Sequence, residues 1–186
     1  PLTNYIPEFS NTAFRETTIQ HALDMTASLK FEEDYLDRSC AFWQEAAVVG
    51  WRPVVDAEKI PNTLFDYAKS LKETEGIDGG RFQYRTILTN VLAMAIERAS
   101  GERVPDLLEK RIWQKLGPEH DAAIVVDSAQ FPYMGAGMNA CLRDLGRFGQ
   151  MILGNGAFNG EQIVPRAWIE DIQNGSDEAR SLFAEG

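Results

Sequence analysis

Tyr84 has the setting that most invites a chemical reading. It lies in Gly79-Gly80-Arg81-Phe82-Gln83-Tyr84-Arg85-Thr86, which runs straight into an apolar helical stretch beginning at Ile87. A glycine pair lets the backbone turn sharply. Thr86 is a residue type that caps a helix by accepting a bond from a free first-turn amide. Tyr84 then stands just before the helix, where its hydroxyl can face a cleft and exchange a proton with a bound group. The competing reading is a loop tyrosine packed over the helix start. Phe31, Tyr35, Phe42, Trp43 and Trp51 crowd a stretch with no sustained period, and Tyr133 precedes Gly135-Ala136-Gly137. Tyr35, Trp51 and Tyr133 are candidates to line a cleft, whereas Trp113 and Trp168 fall at helical spacing beside apolar neighbours and read as core. Glu32, Glu33 and Asp34 are consecutive and point in diverging directions, which favours a solvated acidic face over a metal site or a glycosidase pair.

Other chemistries lack their residues. There is no GxxxxGK[ST] phosphate loop, no HExxH, no Cys/His cluster and no GxSxG elbow. His21 and His120 stand far apart and read as polar helix-end or loop residues. Gly135-Ala136-Gly137-Met138-Asn139-Ala140 fits GxGxxA but follows no clear strand, so a turn feeding the next helix accounts for it better than a dinucleotide site. Cys40 and Cys141 have no CxxC spacing and read as small apolar residues. No metal ion or organic cofactor is called for.

The elements that must position these residues are mostly helical. Thr17-Thr18-Ile19-Gln20 reads as a capping box with Thr17 as the cap, opening a short helix through Met25. Residues at about 26–60 read as an irregular aromatic excursion of the kind that carries function. Leu64, Tyr67, Ala68 and Leu71 keep the spacing of an amphipathic helix. Ile87 to Ala99 traces a helix that stops at Gly101 and should be the most buried of all. Val104 to Leu116 forms another, with Pro105 in its first turn and Gly117-Pro118 as its stop. Ala122–Val126 is a strand-like run, Leu142–Leu153 a helix, residues 160–164 an extended passage, and Pro165 opens a last helix through Ile172. No internal repeat or linker divides residues 1–186, which read as one helical unit.

The whole composition bounds the partners. Of 186 residues 44% are apolar, ample for a core. The 28 acidic and 18 basic residues give a formal charge of −10, and a surface that acidic repels phosphate backbones and anionic lipid. Neither nucleic acid nor a membrane is an expected partner. No run of about 18 apolar residues is present to span a bilayer. The chain opens at Pro1 without a Met and reads as an internal piece of a longer protein.

The stretch from Phe82 to Gly101, FQYRTILTNVLAMAIERASG, resembles the segment of β-lactamase-related serine hydrolases that carries their catalytic tyrosine in a Tyr-x-Asn or Tyr-x-Ser pattern. LTNYIPEF at 2–9 and TIQHALDM at 18–25 resemble the stretch just after that family's nucleophile helix. GMNACLRDLGRFGQMILGNGAFNGEQIVPRAWIEDI at 137–172 resembles the helical stretch late in its α lobe. Nearest is the subgroup of 6-aminohexanoate-dimer (nylon-oligomer) hydrolases and related carboxylesterases: FEEDYLD at 31–37 and Gly50-Trp51 look like its substrate-side loop, and Tyr84-Arg85-Thr86 is nearer its Tyr-x-Ser. The resemblance implies the mainly α, helical lobe of a β-lactamase/transpeptidase-like α/β fold, with the main β-sheet largely missing from this chain. It implies Tyr84 as general acid/base, with Thr86 lining the site and Phe31, Tyr35 and Trp51 on the substrate side; Tyr133 is added as a substrate-binding candidate from its place before the glycine-rich turn. The implied substrate is a small-molecule ester or amide, and the implied compartment leans cytoplasmic.

The sequence departs from the family in one decisive respect. Its nucleophilic serine and lysine form an S-x-x-K, and three residues after each serine here lie Ala13, Phe31, Phe42, Glu73, Arg103, Phe131, Ala179 or Ala184. The acyl-enzyme cannot form without that pair. The strand that completes the family's oxyanion hole is also missing, so the further partners expected are the N- and C-terminal parts of a parent chain, and the isolated chain is expected to be inactive. Phe31 aligns with a tyrosine of the subgroup's substrate loop, and loss of that hydroxyl favours esters over amides. The alternative reading is a noncatalytic helical binding module that uses the aromatic stretch at 31–51. A degenerate, noncatalytic member of the same family is a third.

Overall fold

A computed structural model describes residues 1–53 and 60–185. Residues 54–59, the end of the stretch expected to be irregular, lie outside the described residues. Helix α4, Thr86–Ser100, is the organising element. Its Ile87, Leu88, Val91, Met94 and Ala95 are buried, and it ends at Gly101 in the left-handed conformation with φ 71°, which glycine adopts without a Cβ penalty. Around it pack α1 (Ile19–Leu23), α2 (Ala41–Val48) and α3 (Leu64–Ser70). Leu2 and Phe9 from two short 3-10 turns, with Ile6 and Phe14 beside them, close the same core with Leu29, Phe31, Leu64 and Tyr133.

A second, smaller cluster holds Trp113, Leu116 and Met151. It brings together α5 (Val104–Leu108) and its continuation with α6 (Leu142–Leu153). The single helix expected over Val104–Leu116 is one helical run that changes gauge. After α5 come a π turn at Glu109–Trp113 and a 3-10 turn at Gln114–Leu116, ended by left-handed Gly117. Widening and then tightening the helix rotates Trp113 and Leu116 into the cluster.

Among the described residues the strands are two short antiparallel pairs: β1 (Ala123–Ile124) with β2 (Met138–Asn139), and β3 (Ala157–Phe158) with β4 (Glu161–Gln162). The AAIVV run supplies β1, and the Gly135–Gly137 turn leads into β2. The passage expected to be extended at 160–164 is the second arm of the other hairpin, which turns through Asn159 and Gly160 at positive φ. Helix α7 (Arg166–Asn174) follows Pro165, and α8 (Asp177–Glu185) continues beyond the expected last helix. Ser176 caps α8 by accepting from the Ala179 amide, and two acids occupy its first turn, local signals that a search for an apolar stripe passes over.

One further expectation is corrected. The cap of α1 is Thr18, paired with His21 in a reciprocal capping box, rather than Thr17 with Gln20. Thr17 is buried and gives its hydroxyl to Asp78 at 3.2 Å. The described part of 26–60 is irregular apart from one bridged segment and a helix. Residues 28–30 run antiparallel to 73–75 through Glu75 N–H to Ser28 O and Lys30 N–H to Glu73 O, and α2 follows. Helix α2 hides from a periodicity reading because its buried face, Phe42, Glu45 and Ala46, carries a charge-type residue in the middle.

Candidate active site

The extended chain before α4 aims Tyr84. Arg85 has φ −146° and ψ 108°, so neighbouring side chains point to opposite sides. Arg85 turns inward: its guanidinium bonds the Ala27 carbonyl at 2.8 Å, Glu75 at 3.0 Å and Gln83 at 2.8 Å. Gln83 N–H donates to Met25 O and Gly79 N–H to Thr26 O, so both ends of the approach are stitched to residues 25–28. Met25 itself has φ 56°, a strained conformation for a residue with a Cβ. Tyr84 is thereby held outward, 52% exposed.

Glu33 is the centre of the arrangement. Its carboxylate accepts from the Thr86 amide at 2.7 Å, the Thr86 hydroxyl at 2.6 Å and the Tyr35 hydroxyl at 2.8 Å. An anion at the first turn of α4 satisfies a free amide and meets the positive end of the helix dipole. Thr86 therefore does not cap α4 with its own oxygen; the cap position is Arg85, and Glu33 supplies the acceptor from 53 residues away. The hydrogen bond to Glu33, helped by burial, pushes the Tyr35 hydroxyl up to about 12.

Trp51 lies edge-on to Tyr133, ring centroids 5.2 Å apart. Trp51 is 45% exposed and Tyr133 fully buried, so Tyr133 is floor where an open lining had been expected. Tyr133 feels the charges of Glu45 and Glu33 and those of Tyr84 and Tyr35. That places Tyr84, Tyr35, Glu33, Trp51 and Tyr133 in one neighbourhood, with Thr86 joined through Glu33. Phe31 is the exception: its ring is fully buried in the main core, so it offers nothing to a ligand. The expectation of ester preference, drawn from a hydroxyl missing at Phe31, loses its footing, since Tyr35 presents a hydroxyl on this face.

Sequence reasoning passed over three residues here. Glu33 was grouped with its acidic neighbours, although it sits two residues before Tyr35 in FEEDYLD. Glu45 and Asn90 are fully buried, with Asn90 Nδ2 donating to Glu45 Oε1 at 2.7 Å. Their signal was a polar residue on an otherwise apolar helix face: Asn90 falls between Ile87 and Met94. Burial pushes the Glu45 carboxyl up to about 8, against the opposing bond from Asn90. No cluster of three metal-ligating side chains occurs among the described residues, and no helix among them is long and apolar enough to cross a membrane.

The site is an open face bearing a hydroxyl, a carboxylate and aromatic walls. It can move a proton and pack an apolar group, and it contains no S-x-x-K. The chain is 33% identical over 193 residues to a 6-aminohexanoate-dimer hydrolase of Paenarthrobacter ureafaciens, covering 100% of this chain and 48% of that protein. A solved structure of a candidate 6-aminohexanoate-dimer hydrolase from Bacillus anthracis superposes with TM-score 0.83 at 30% identity, over 95% of this chain and 46% of the other. Two more distant structures share the fold. A candidate beta-lactamase from Bacteroides dorei gives TM-score 0.68 at 22% identity, over 97% and 49% of the two chains. EstCE1, a hydrolase with promiscuous acyltransferase activity, gives 0.61 at 17%, over 93% and 55%. The chain thus spans about half the length of the relatives it matches, and its strands, confined here to two short hairpins, leave a mainly α portion of their fold. The Beta-lactamase family profile matches residues 1–179, and the chain belongs to the beta-lactamase family.

Proposed function

We propose that this chain is the tyrosine-bearing helical lobe of a serine hydrolase that cleaves esters or amides through an acyl-serine intermediate. The observation that carries this reading is Tyr84, held outward at the entrance to α4 beside the Glu33–Thr86–Tyr35 cluster, in a chain of a hydrolase family. The serine and its lysine come from a part of the complete enzyme outside this sequence. In the acylation step the serine oxygen bonds to the substrate carbonyl carbon and its proton passes to the lysine–tyrosine pair. The Tyr84 hydroxyl then delivers a proton to the leaving oxygen or nitrogen as the scissile bond breaks. Water attacks the acyl-serine by the same route in reverse, releasing the acid. Tyr35 and Trp51 provide the walls, and Glu33 keeps Tyr35 and the first turn of α4 in register.

The substrate is a small-molecule ester or amide, with no preference between them assigned by Phe31. Parallel assays of the complete enzyme on p-nitrophenyl acetate and on a linear amide test this reading. Turnover of either, abolished by Tyr84→Phe, supports it. Unchanged turnover in Tyr84→Phe would remove Tyr84 from the mechanism.

A further inference from the structure

The Tyr84 face rests on a buried polar bridge that plays no part in the chemistry above. Glu45, from α2, accepts from Asn90 Nδ2 on α4 at 2.7 Å, and Asn90 Oδ1 accepts from the Gly135 amide at 3.1 Å. Gly135 lies against the start of α4: a Cβ there would stand 2.9 Å from the Thr86 carbonyl oxygen and collide with the Thr86 methyl group. Gly137 is packed as tightly on the Tyr133 backbone. The same loop is held by Tyr133 N–H to Val125 O and Gly137 N–H to Tyr133 O, and Tyr133 carries Trp51. One side-chain pair therefore joins α2, α4 and the loop under the site. Buried polar pairs of this kind fix one arrangement of the elements around them when satisfied.

We propose that Glu45 is a positioning residue for the candidate site: through Asn90 it holds the 131–137 loop, and with it Tyr133 and Trp51, against the first turn of α4. This rests on the proposed function above and extends it to how the substrate wall is set. The groups facing Glu45 agree. Glu33 acts on it from the 31–37 segment, and its own charge acts on Tyr133 in the loop and on Tyr67 of α3; among the described residues no cation offsets it. Tyr67 gives its proton to the Ala41 carbonyl at 2.7 Å and offers Glu45 none. Glu45 Oε2 and the Tyr133 hydroxyl are both buried without a partner among the described residues. A neutral acid fits that setting. An ionised one would sit beside Glu33 with a single hydrogen bond, and hydrating it means opening the seam between α2 and α4.

The Gly135 amide reports the bridge directly. In ¹⁵N-labelled chain its resonance is expected to shift with a midpoint at pH of about 8, and the shift should vanish in Glu45→Gln. A Gly135 signal that titrates alike in both, or that neither pH nor substitution of Glu45 moves, overturns the proposal. In the complete enzyme, Glu45→Leu should raise KM for p-nitrophenyl acetate about tenfold, the scale of one lost buried hydrogen bond, with kcat changed less than about threefold, and Glu45→Gln should restore KM. A Glu45→Leu enzyme that melts earlier with unchanged KM would assign Glu45 to stability alone and overturn the proposal. Should Glu45→Leu fail to fold, the Gly135 titration in Glu45→Gln still decides. Absence of ester turnover in the unmutated complete enzyme would count against the proposed function, while the Gly135 titration would still judge the bridge.

Discussion

Tyr84 and Arg85 are neighbours with opposite fates. Extended backbone sends the guanidinium inward to three acceptors and the phenol outward to solvent. Changing Tyr84 to Phe should therefore cost the complete enzyme about 10²–10⁴ in kcat, the usual share of a general acid/base, and leave its melting temperature where it was. Glu33 has a structural and a chemical duty, which Glu33→Ala separates. Loss of the acceptor at the first turn of α4 should destabilise the chain by about 1 kcal/mol in urea titration. Loss of the hydrogen bond should also let the Tyr35 phenol ionise at lower pH than its present value of about 12, read as tyrosinate absorbance. The Glu45 acid is raised from 4.5 to about 8 in the folded chain, so between those values the folded state holds a proton that the unfolded state has lost. Its contribution to stability is most favourable below pH 4.5, falls as pH rises, and levels off above about 8. Denaturation of wild type and Glu45→Gln at pH 5 and pH 9 checks the sign: the variant should gain relative to wild type at the higher pH.

Helices with regular apolar spacing, α3, α4 and α6, were legible in the sequence, as were the glycine stops at Gly101 and Gly117. The short α2, with a polar group in the middle of its buried face, was not, whereas the longer α4 and α6 are readable despite buried Asn90 and Asp144. Helix α2 is masked by Glu45, and the anchoring of α4 depends on Glu33, a contact across 53 residues. The proposed tyrosine, walls and threonine were singled out from residue type and resemblance, whereas Glu33, Glu45 and Asn90, which pack beneath and beside them, are defined by tertiary contacts that no local spacing announces. The same holds at the start of α6. Buried Asp144 accepts from Cys141 Sγ, the amides of Glu119 and His120, and Arg147, which draws its carboxyl down to about 2. Glycines test the packing between elements. Gly135→Ala should cost roughly 1–3 kcal/mol by overpacking against Thr86. Gly149→Ala, in the interior of α6 with no atom within 4 Å of a new Cβ, should stabilise the isolated chain by up to about 1 kcal/mol. Thermal melts of the two variants should move in opposite directions.

At the scale of the molecule, α6 presents Leu142 and Leu153, each 83% exposed, with Leu145 and Phe148 also on the surface. Apolar side chains gathered along one helix mark a face that packs on something else, in keeping with a chain that covers 48% of its Paenarthrobacter relative. The isolated chain should accordingly bind a hydrophobic dye and self-associate in sedimentation, and the complete enzyme should do neither. In the enzyme proposed above, this lobe brings the tyrosine and the nucleophile comes from outside it. Fluorophosphonate labelling, followed by p-nitrophenyl acetate hydrolysis, of the chain beside the complete enzyme tests that most directly. Label and turnover are expected in the complete enzyme alone. Label and turnover in the 186-residue chain itself would contradict the proposal, and would require one of its own serines to be the nucleophile without an S-x-x-K lysine.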